Sequence, residues 1–167
     1  MRVVFPSEHD ASESRVAVTP DSVRTIAGLG LSVAVERGIG AKLGWTDTDF
    51  ESAGASVETG DALVAGSALV CSVQPPDAGR IFSIPRGSMY AGFLDPFNRG
   101  DLVKAFAEGG VSAMSMEMVP RTTRAQKLDA LSSQHSIAGY YMVLLAAERL
   151  GRVLPMMATP SGVLHPA

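Results

Sequence analysis

The run ALVCSV, residues 68–73, decides the fold of this chain. It is almost wholly apolar and ends before Pro75 and Pro76, which cannot continue a strand. A short continuous apolar run between turn signals is typical of a strand buried on both faces of a parallel sheet. The lone cysteine, Cys71, lies inside this run and is expected to be a buried, inert thiol.

Strands and helices alternate on both sides of this run, about every 20–25 residues, which favours right-handed crossovers between parallel strands. Thr19 and Thr46 are expected helix caps, with Pro20 in the first helical position. The pattern predicts an α/β fold: a flavodoxin-like, three-layer α/β/α domain with a mostly parallel sheet. Predicted strands are 2–6, 31–36, 68–73, 88–93 and 111–116; predicted helices are 19–30, 45–54, 98–110 and 136–152, with a helix or turn at 61–66.

Length and charge set limits on function. The 167 residues suffice for one domain with a sizeable core, and a net charge of −3 gives no reason to expect a nucleic-acid partner. No apolar run approaches the ~20 residues of a membrane span, so no membrane insertion is expected. One cysteine and no signal-peptide pattern fit a cytoplasmic protein. Helix 136–152 is predicted to be well buried, and 151–167 to be a linker.

Ligands of parallel sheets bind outside the carboxyl ends of the strands, so the loops after 6, 73, 93 and 116 are candidate binding loops. Arg15, which follows the first polar loop, is a candidate for holding an anion, although a structural salt bridge is the commoner role. The glycines of ERGIGAKLGW (36–45) miss the dinucleotide-binding spacing and predict a structural turn. No metal site is expected, because His9, His135 and His165 are scattered.

The polar segment VPRTTRAQKLDALSSQ, residues 119–134, has two interpretations. In the first it begins a helix: Thr123 and Gln126 form a capping box, and Gln126, Asp129 and Ser133 share the solvent face. In the second, Arg121, Gln126 and Asp129 form a donor–acceptor set that suits an amide group. Residue spacing does not decide between the two.

The residues themselves resemble a known family. MRVVFPSE, SRVAVTPDSV, VAVERGIGA, VSAMSMEMVPR, RAQKLDALSSQ and IAGY are similar to the N-terminal part of the nucleotide-binding domain in the alpha subunit of proton-translocating NAD(P) transhydrogenases. The resemblance covers the whole chain. Alanine dehydrogenases share the first motifs, whereas VPRTTRAQKLDALSS is the motif specific to transhydrogenases.

Three positions distinguish the two branches, and the differences at two of them favour transhydrogenase over alanine dehydrogenase. Alanine dehydrogenases place an arginine, a lysine and a histidine around the keto acid; the arginine corresponds to Arg15, but the other two positions hold Gln74 and Asp95. An enzyme without that lysine and histidine lacks its general acid/base groups, whereas direct hydride transfer between two nicotinamides needs only ring alignment. Two further positions depart from the family: Ser72 replaces a lysine and Tyr141 an arginine.

The resemblance implies a Re/Si-specific NAD(P)+ transhydrogenase component that is inactive alone. Arg121 and Asp129 would hold the NADH carboxamide, Gln126 would reach toward the nicotinamides, and Ser132 and Tyr140 would also lie at the cofactor. NAD(H) would bind fully only with a Rossmann domain, which is absent from residues 1–167. Residues 1–150 would be the family domain and 151–167 the linker toward that Rossmann part.

The implied partners are a second copy, giving a homodimer, and the NADP(H)-binding and membrane subunits. The implied location is the cytoplasmic side of the inner membrane, through those partners. Two alternatives remain open at this point: a non-catalytic assembly module, and an alanine dehydrogenase fragment, which Gln74 and Asp95 disfavour.

Overall fold

The computed structural model describes residues 1–151 and 154–165. The chain divides into two compact units, Met1–Pro120 and Arg121–Ala167. The predicted linker at 151–167 stays a prediction, and its residues 152, 153, 166 and 167 lie outside the described part.

The first unit is built on a six-stranded sheet in which every pairing is parallel. The predicted α/β class with a parallel sheet flanked by helices is therefore confirmed. Five of its strands lie inside predicted runs, and β3 is the exception. The strands are β1 (Arg2–Phe5), β2 (Ser32–Glu36), β3 (Ala55–Glu58), β4 (Leu69–Cys71), β5 (Met89–Gly92) and β6 (Ser112–Ser115).

The strand order is β3-β2-β1-β4-β5-β6, so the chain reverses direction across the sheet between β1 and β4. This is the order of the classic six-stranded doubly wound sheet, whereas the flavodoxin order reverses between its first and third strands. Side chains of each strand alternate between two cores. Val3 and Phe5 pack on one face with Val23 of the first helix, while Val4 packs on the other with Phe106.

The helices begin where capping residues predict. Thr19 accepts the N–H of Ser22 at the start of α1 (Pro20–Gly28), and Thr46 forms a capping box with Asp49 at the start of α2 (Asp47–Ser52). Two short helices, α3 (Asp61–Val64) and α4 (Ala78–Ile81), and the longer α5 (Gly100–Gly109) complete the first unit.

Two of these elements have no counterpart among the predicted ones. Strand β3 is an edge strand with the sequence ASVE, which is too short and too polar to give an apolar run. Helix α4 is a single turn of four residues between two proline-containing segments. Long-range contacts hold both elements in place, and hydrophobic periodicity over a short stretch of sequence does not reveal such contacts.

The second unit contains a long helix, α6 (Ala130–Leu150), and an antiparallel hairpin, β7 (Met157–Thr159) and β8 (Gly162–Leu164). The prediction that 136–152 is well buried is wrong, since α6 has no buried residue and Tyr140 is 70% exposed. Residues 137–147 of the helix are apolar on every side, a pattern that predicts burial against a partner element, and no described residue of its own unit supplies one. In the described part of the chain, no helix has the length and hydropathy needed to cross a membrane.

Candidate functional site

The segment predicted to carry chemistry lies at the start of the second unit. Arg121 is in irregular chain, Gln126 opens a single helical turn at Gln126–Leu128, and Asp129 is the N-cap of α6. The predicted capping box of Thr123 and Gln126 is wrong, because the helix begins four residues after Gln126. Gln126 and Asp129 therefore do not share a helix face with Ser133.

Asp129 and Ser132 form the tightest polar contact of this segment. The Asp129 carboxylate accepts the Ser132 N–H at 3.0 Å and its hydroxyl at 2.6 Å. These bonds lower the pKa of Asp129, with a smaller contribution from the charge of Arg121. The carboxylate is thus ionised at neutral pH and retains lone pairs for a further donor, as an amide-binding group requires.

The other predicted residues are accessible but less closely grouped. Gln126 is exposed, and within the described residues its side chain makes no hydrogen bond. Tyr140 follows Ser132 by eight helical residues, which places it roughly 12 Å further along the axis. The structure brings Asp129, Ser132 and the charge of Arg121 together, and the joint action of all five residues stays a prediction.

Arg15 lies in a second polar cluster, in the first unit. Its guanidinium donates to both carboxylate oxygens of Glu13, at 2.8 and 2.6 Å, and the Gln74 side chain donates to the same carboxylate at 2.8 Å. These bonds lower the pKa of Glu13 to about 2, and the hydrogen bonding of Arg15 is the largest cause. Arg15 therefore forms a structural salt bridge with Glu13, and its role in holding an anion stays a prediction.

Glu8 ties the loop after β1 to the loop after β4. Its carboxylate accepts the backbone N–H groups of Val73 and Gln74, at 2.7 and 2.8 Å. Burial raises the pKa of Glu8, although the two N–H bonds act in the opposite direction. Sequence reasoning missed Glu8 and Glu13; the available signal was their place in the polar loop that follows the first strand.

A small crevice adjoins this cluster, between the carboxyl ends of β1 and β4. Its volume is about 110 Å³, and it lies at the point where the strand order reverses. Ser72 and Tyr90 form its polar floor: their hydroxyls hydrogen-bond each other, and the Ser72 hydroxyl donates to the Gln74 carbonyl at 2.6 Å. Burial, the largest cause, raises the pKa of Tyr90, so the phenol is neutral.

Known proteins resemble this chain in sequence and in structure. Residues 4–138 match the model of one family, the alanine dehydrogenase/PNT N-terminal domain. The chain belongs to that family. It is 36% identical over its whole length to NAD(P) transhydrogenase subunit alpha of Cereibacter sphaeroides, of which it covers 32%. This family domain therefore spans about a third of that relative.

Among the solved structures compared, a transhydrogenase resembles the chain more closely than an alanine dehydrogenase does. The transhydrogenase from Sinorhizobium meliloti superposes with a TM-score of 0.91 at 36% identity, and an L-alanine dehydrogenase with 0.83 at 25%. Both comparisons cover all of this chain, and 50% and 46% of the respective structures. The similarity to the N-terminal region of the transhydrogenase alpha subunit, stated above as a resemblance, is confirmed.

In this member of the family, Asp95 has an unusual backbone. It is the one described non-glycine residue with a positive φ, 46°. Its side chain accepts two bonds from the Asn98 amide, and Glu117 accepts the N–H groups of Leu94 and Asp95. Asp95 is thus occupied in shaping the loop after β5.

The glycines of 36–45 form a structural turn in this family domain, as predicted, and Gly40 is its closely packed member. A Cβ on Gly40 would lie 2.7 Å from the Cβ of Trp45 and 2.8 Å from the ring of Phe50, and the Gly38 N–H already donates to Asp47. Cys71 is half-buried, and burial raises the pKa of its thiol to about 11, which keeps it protonated at neutral pH. Among the described residues, no group of three or more His, Cys, Asp or Glu is placed to hold a metal.

Proposed function

We propose that the chain is the nicotinamide-orienting part of the NAD(H)-binding component of an NAD(P) transhydrogenase. Hydride would pass between NADH and NADP+, coupled to proton translocation by the complete enzyme. The observation that carries the proposal is the segment 121–132, in which an ionised Asp129, its Ser132 partner and Arg121 lie together with side chains open to a ligand.

The chemistry of the carboxamide matches these groups. Its NH2 is a donor that suits the Asp129 carboxylate, and its carbonyl is an acceptor that suits the Arg121 guanidinium. Gln126 would approach the nicotinamide rings, with Ser132 and Tyr140 beside them. These residues would act by positioning, because direct hydride transfer requires aligned rings and no proton-transferring side chain.

The rest of the cofactor would be bound outside this chain. A pyrophosphate needs free N–H groups at a glycine-rich helix start close to a strand. Here a fourteen-residue connection, 6–19, separates β1 from α1, Thr19 caps that helix, and Asp21 adds a negative charge to its first turn. A Rossmann domain in the remaining length of the longer relatives would supply the missing cradle.

The proposed assembly is a homodimer joined to NADP(H)-binding and membrane subunits, which would hold the protein at the inner membrane from the cytoplasmic side. The apolar middle of α6, in a helix without a buried residue, supports a partner surface in the second unit. Alanine dehydrogenase activity is disfavoured, because Gln74 binds Glu13 and Asp95 binds Asn98 where the family's lysine and histidine would act.

Gln126→Asn in the complete enzyme tests the proposal. Shortening this side chain should slow single-turnover hydride transfer from NADH to an NADP+ analogue by more than tenfold, since a ring displacement of about 1 Å can cost about 100-fold. Ser133→Ala, on the exposed side of α6, is the control and should leave the rate unchanged. An unchanged rate for Gln126→Asn would contradict the assigned role, and NADH oxidation with pyruvate and ammonia would favour alanine dehydrogenase.

A further inference from the structure

We propose that the crevice between β1 and β4 binds a small organic cation: a primary ammonium on a short, branched apolar group. This site lies in the first unit and is separate from the segment 121–132. It goes beyond the proposed function, and neither depends on the other.

The crevice lies where doubly wound sheets bind their ligands. Ligands of doubly wound sheets bind beyond the carboxyl ends of the strands where the strand order reverses. In this sheet the reversal falls between β1 and β4, and the crevice lies there. The loops after both strands line it, at Ser7–Glu8 and Gln74–Pro75.

The inner wall of the crevice is apolar. Leu63 and Val64 of α3, Val70 of β4, Ile84 and the Tyr90 ring line it. The crevice volume of about 110 Å³ is somewhat smaller than the ~150 Å³ of an apolar cavity that admits benzene. The crevice therefore fits a ligand of about four to six heavy atoms with an apolar body.

The polar rim carries an excess of negative charge. Glu8 and Asp61 line the crevice as carboxylates, against one arginine, Arg80. That arginine faces Glu36 at 4.0 Å. The second basic residue of the rim, His9, contacts Asp77 at 3.0 Å. The two lining carboxylates outnumber the one lining arginine, whose charge is shared with Glu36, so the rim repels an anion and attracts a cation.

Glu8 is the group that would accept the ammonium. Each of its oxygens receives one backbone N–H, from Val73 or Gln74, which leaves lone pairs free for a further donor. The Gln74 carbonyl, by contrast, already accepts the Ser72 hydroxyl. Burial raises the pKa of the Glu8 carboxyl, so a neighbouring cation would relieve an existing cost of its charge.

Three probes of one shape and different charge test the proposal: isobutylammonium, isobutanol and isobutyrate. The 15N-labelled chain is titrated with each, and the amide signals of Val73 and Gln74 are followed by NMR. Isobutylammonium should give saturable shifts with a dissociation constant of about 1–10 mM, as expected for a ligand of so few atoms. Isobutanol should bind at least fivefold more weakly, and isobutyrate should cause no saturable shift.

Two variants locate the binding. Val64→Phe fills the crevice and should abolish the shifts, whereas Val103→Phe, on the exposed surface of α5, should leave them unchanged. The unaltered chain decides the outcome even if Val64→Phe does not fold. Equal or tighter binding of isobutyrate or isobutanol, shifts that do not saturate, or shifts that persist in a folded Val64→Phe would overturn the proposal.

Discussion

Replacing Glu13 by glutamine should destabilise the chain in a pH-dependent way. The carboxylate receives two bonds from Arg15 and one from Gln74, and the charge is what makes the Arg15 pair bidentate and strong. An amide at position 13 would turn its NH2 group toward the guanidinium, donor against donor. The cluster would then lose its Arg15 pairing and weaken the Gln74 contact, one of the links between the loop after β1 and the loop after β4.

The size of the effect follows from the pKa of Glu13, which is lowered from 4.5 to about 2. This difference corresponds to at most about 3.4 kcal/mol of stability. The Arg15 side chain is 41% exposed, so solvent screening reduces the expected value to about 1–2 kcal/mol. Because the folded-state pKa is the lower one, the stabilisation is complete above about pH 4.5 and disappears as the pH falls toward 2.

Urea unfolding followed by the fluorescence of the single tryptophan, Trp45, measures this effect. Glu13→Gln should lower the free energy of unfolding by about 1–2 kcal/mol at pH 7, and the difference from the unaltered chain should shrink by more than half at pH 3. Glu51→Gln, an exposed change on α2, is the matched control and should alter stability by less than about 0.5 kcal/mol. A Glu13→Gln effect that is absent at pH 7, or constant down to pH 2, would refute the reasoning.

Three further predictions concern the chain of residues 1–167. Asp129→Ala should remove about 1 kcal/mol of capping energy and speed amide exchange at Ser132 about fivefold, whereas Asp129→Asn should keep the cap; equal exchange in both would contradict the capping role. Gly40→Ala should cost about 1–3 kcal/mol in urea unfolding through its clash with Trp45, while Gly28→Ala, which meets no atom within 4 Å, should not destabilise. NADH should bind with a millimolar or weaker dissociation constant in calorimetry, because carboxamide bonds of about 0.5–1.5 kcal/mol each barely offset an association cost of about 4 kcal/mol or more; micromolar binding would reveal a phosphate site.

Local signals in the sequence determined much of the first unit. The apolar run 68–73 predicted the buried strand β4, Thr19 and Thr46 predicted two helix starts, and the glycines of 36–45 predicted a structural turn. Each of these signals depends on residues within a few positions of one another. Such contacts depend little on distant parts of the chain, so a few neighbouring residues are enough to predict them.

Tertiary structure decided the rest, including the second polar cluster. Glu8 and Gln74 are 66 residues apart, and their contact exists because β1 and β4 are neighbours in the sheet. The exposure of α6 likewise depends on the structure around it. The capping of that helix by Asp129, in place of Thr123, depends on where the single helical turn at Gln126–Leu128 ends. Hydrophobic periodicity shows that a face will be buried when a partner is present, but the strand order and the surrounding elements determine which partner it meets.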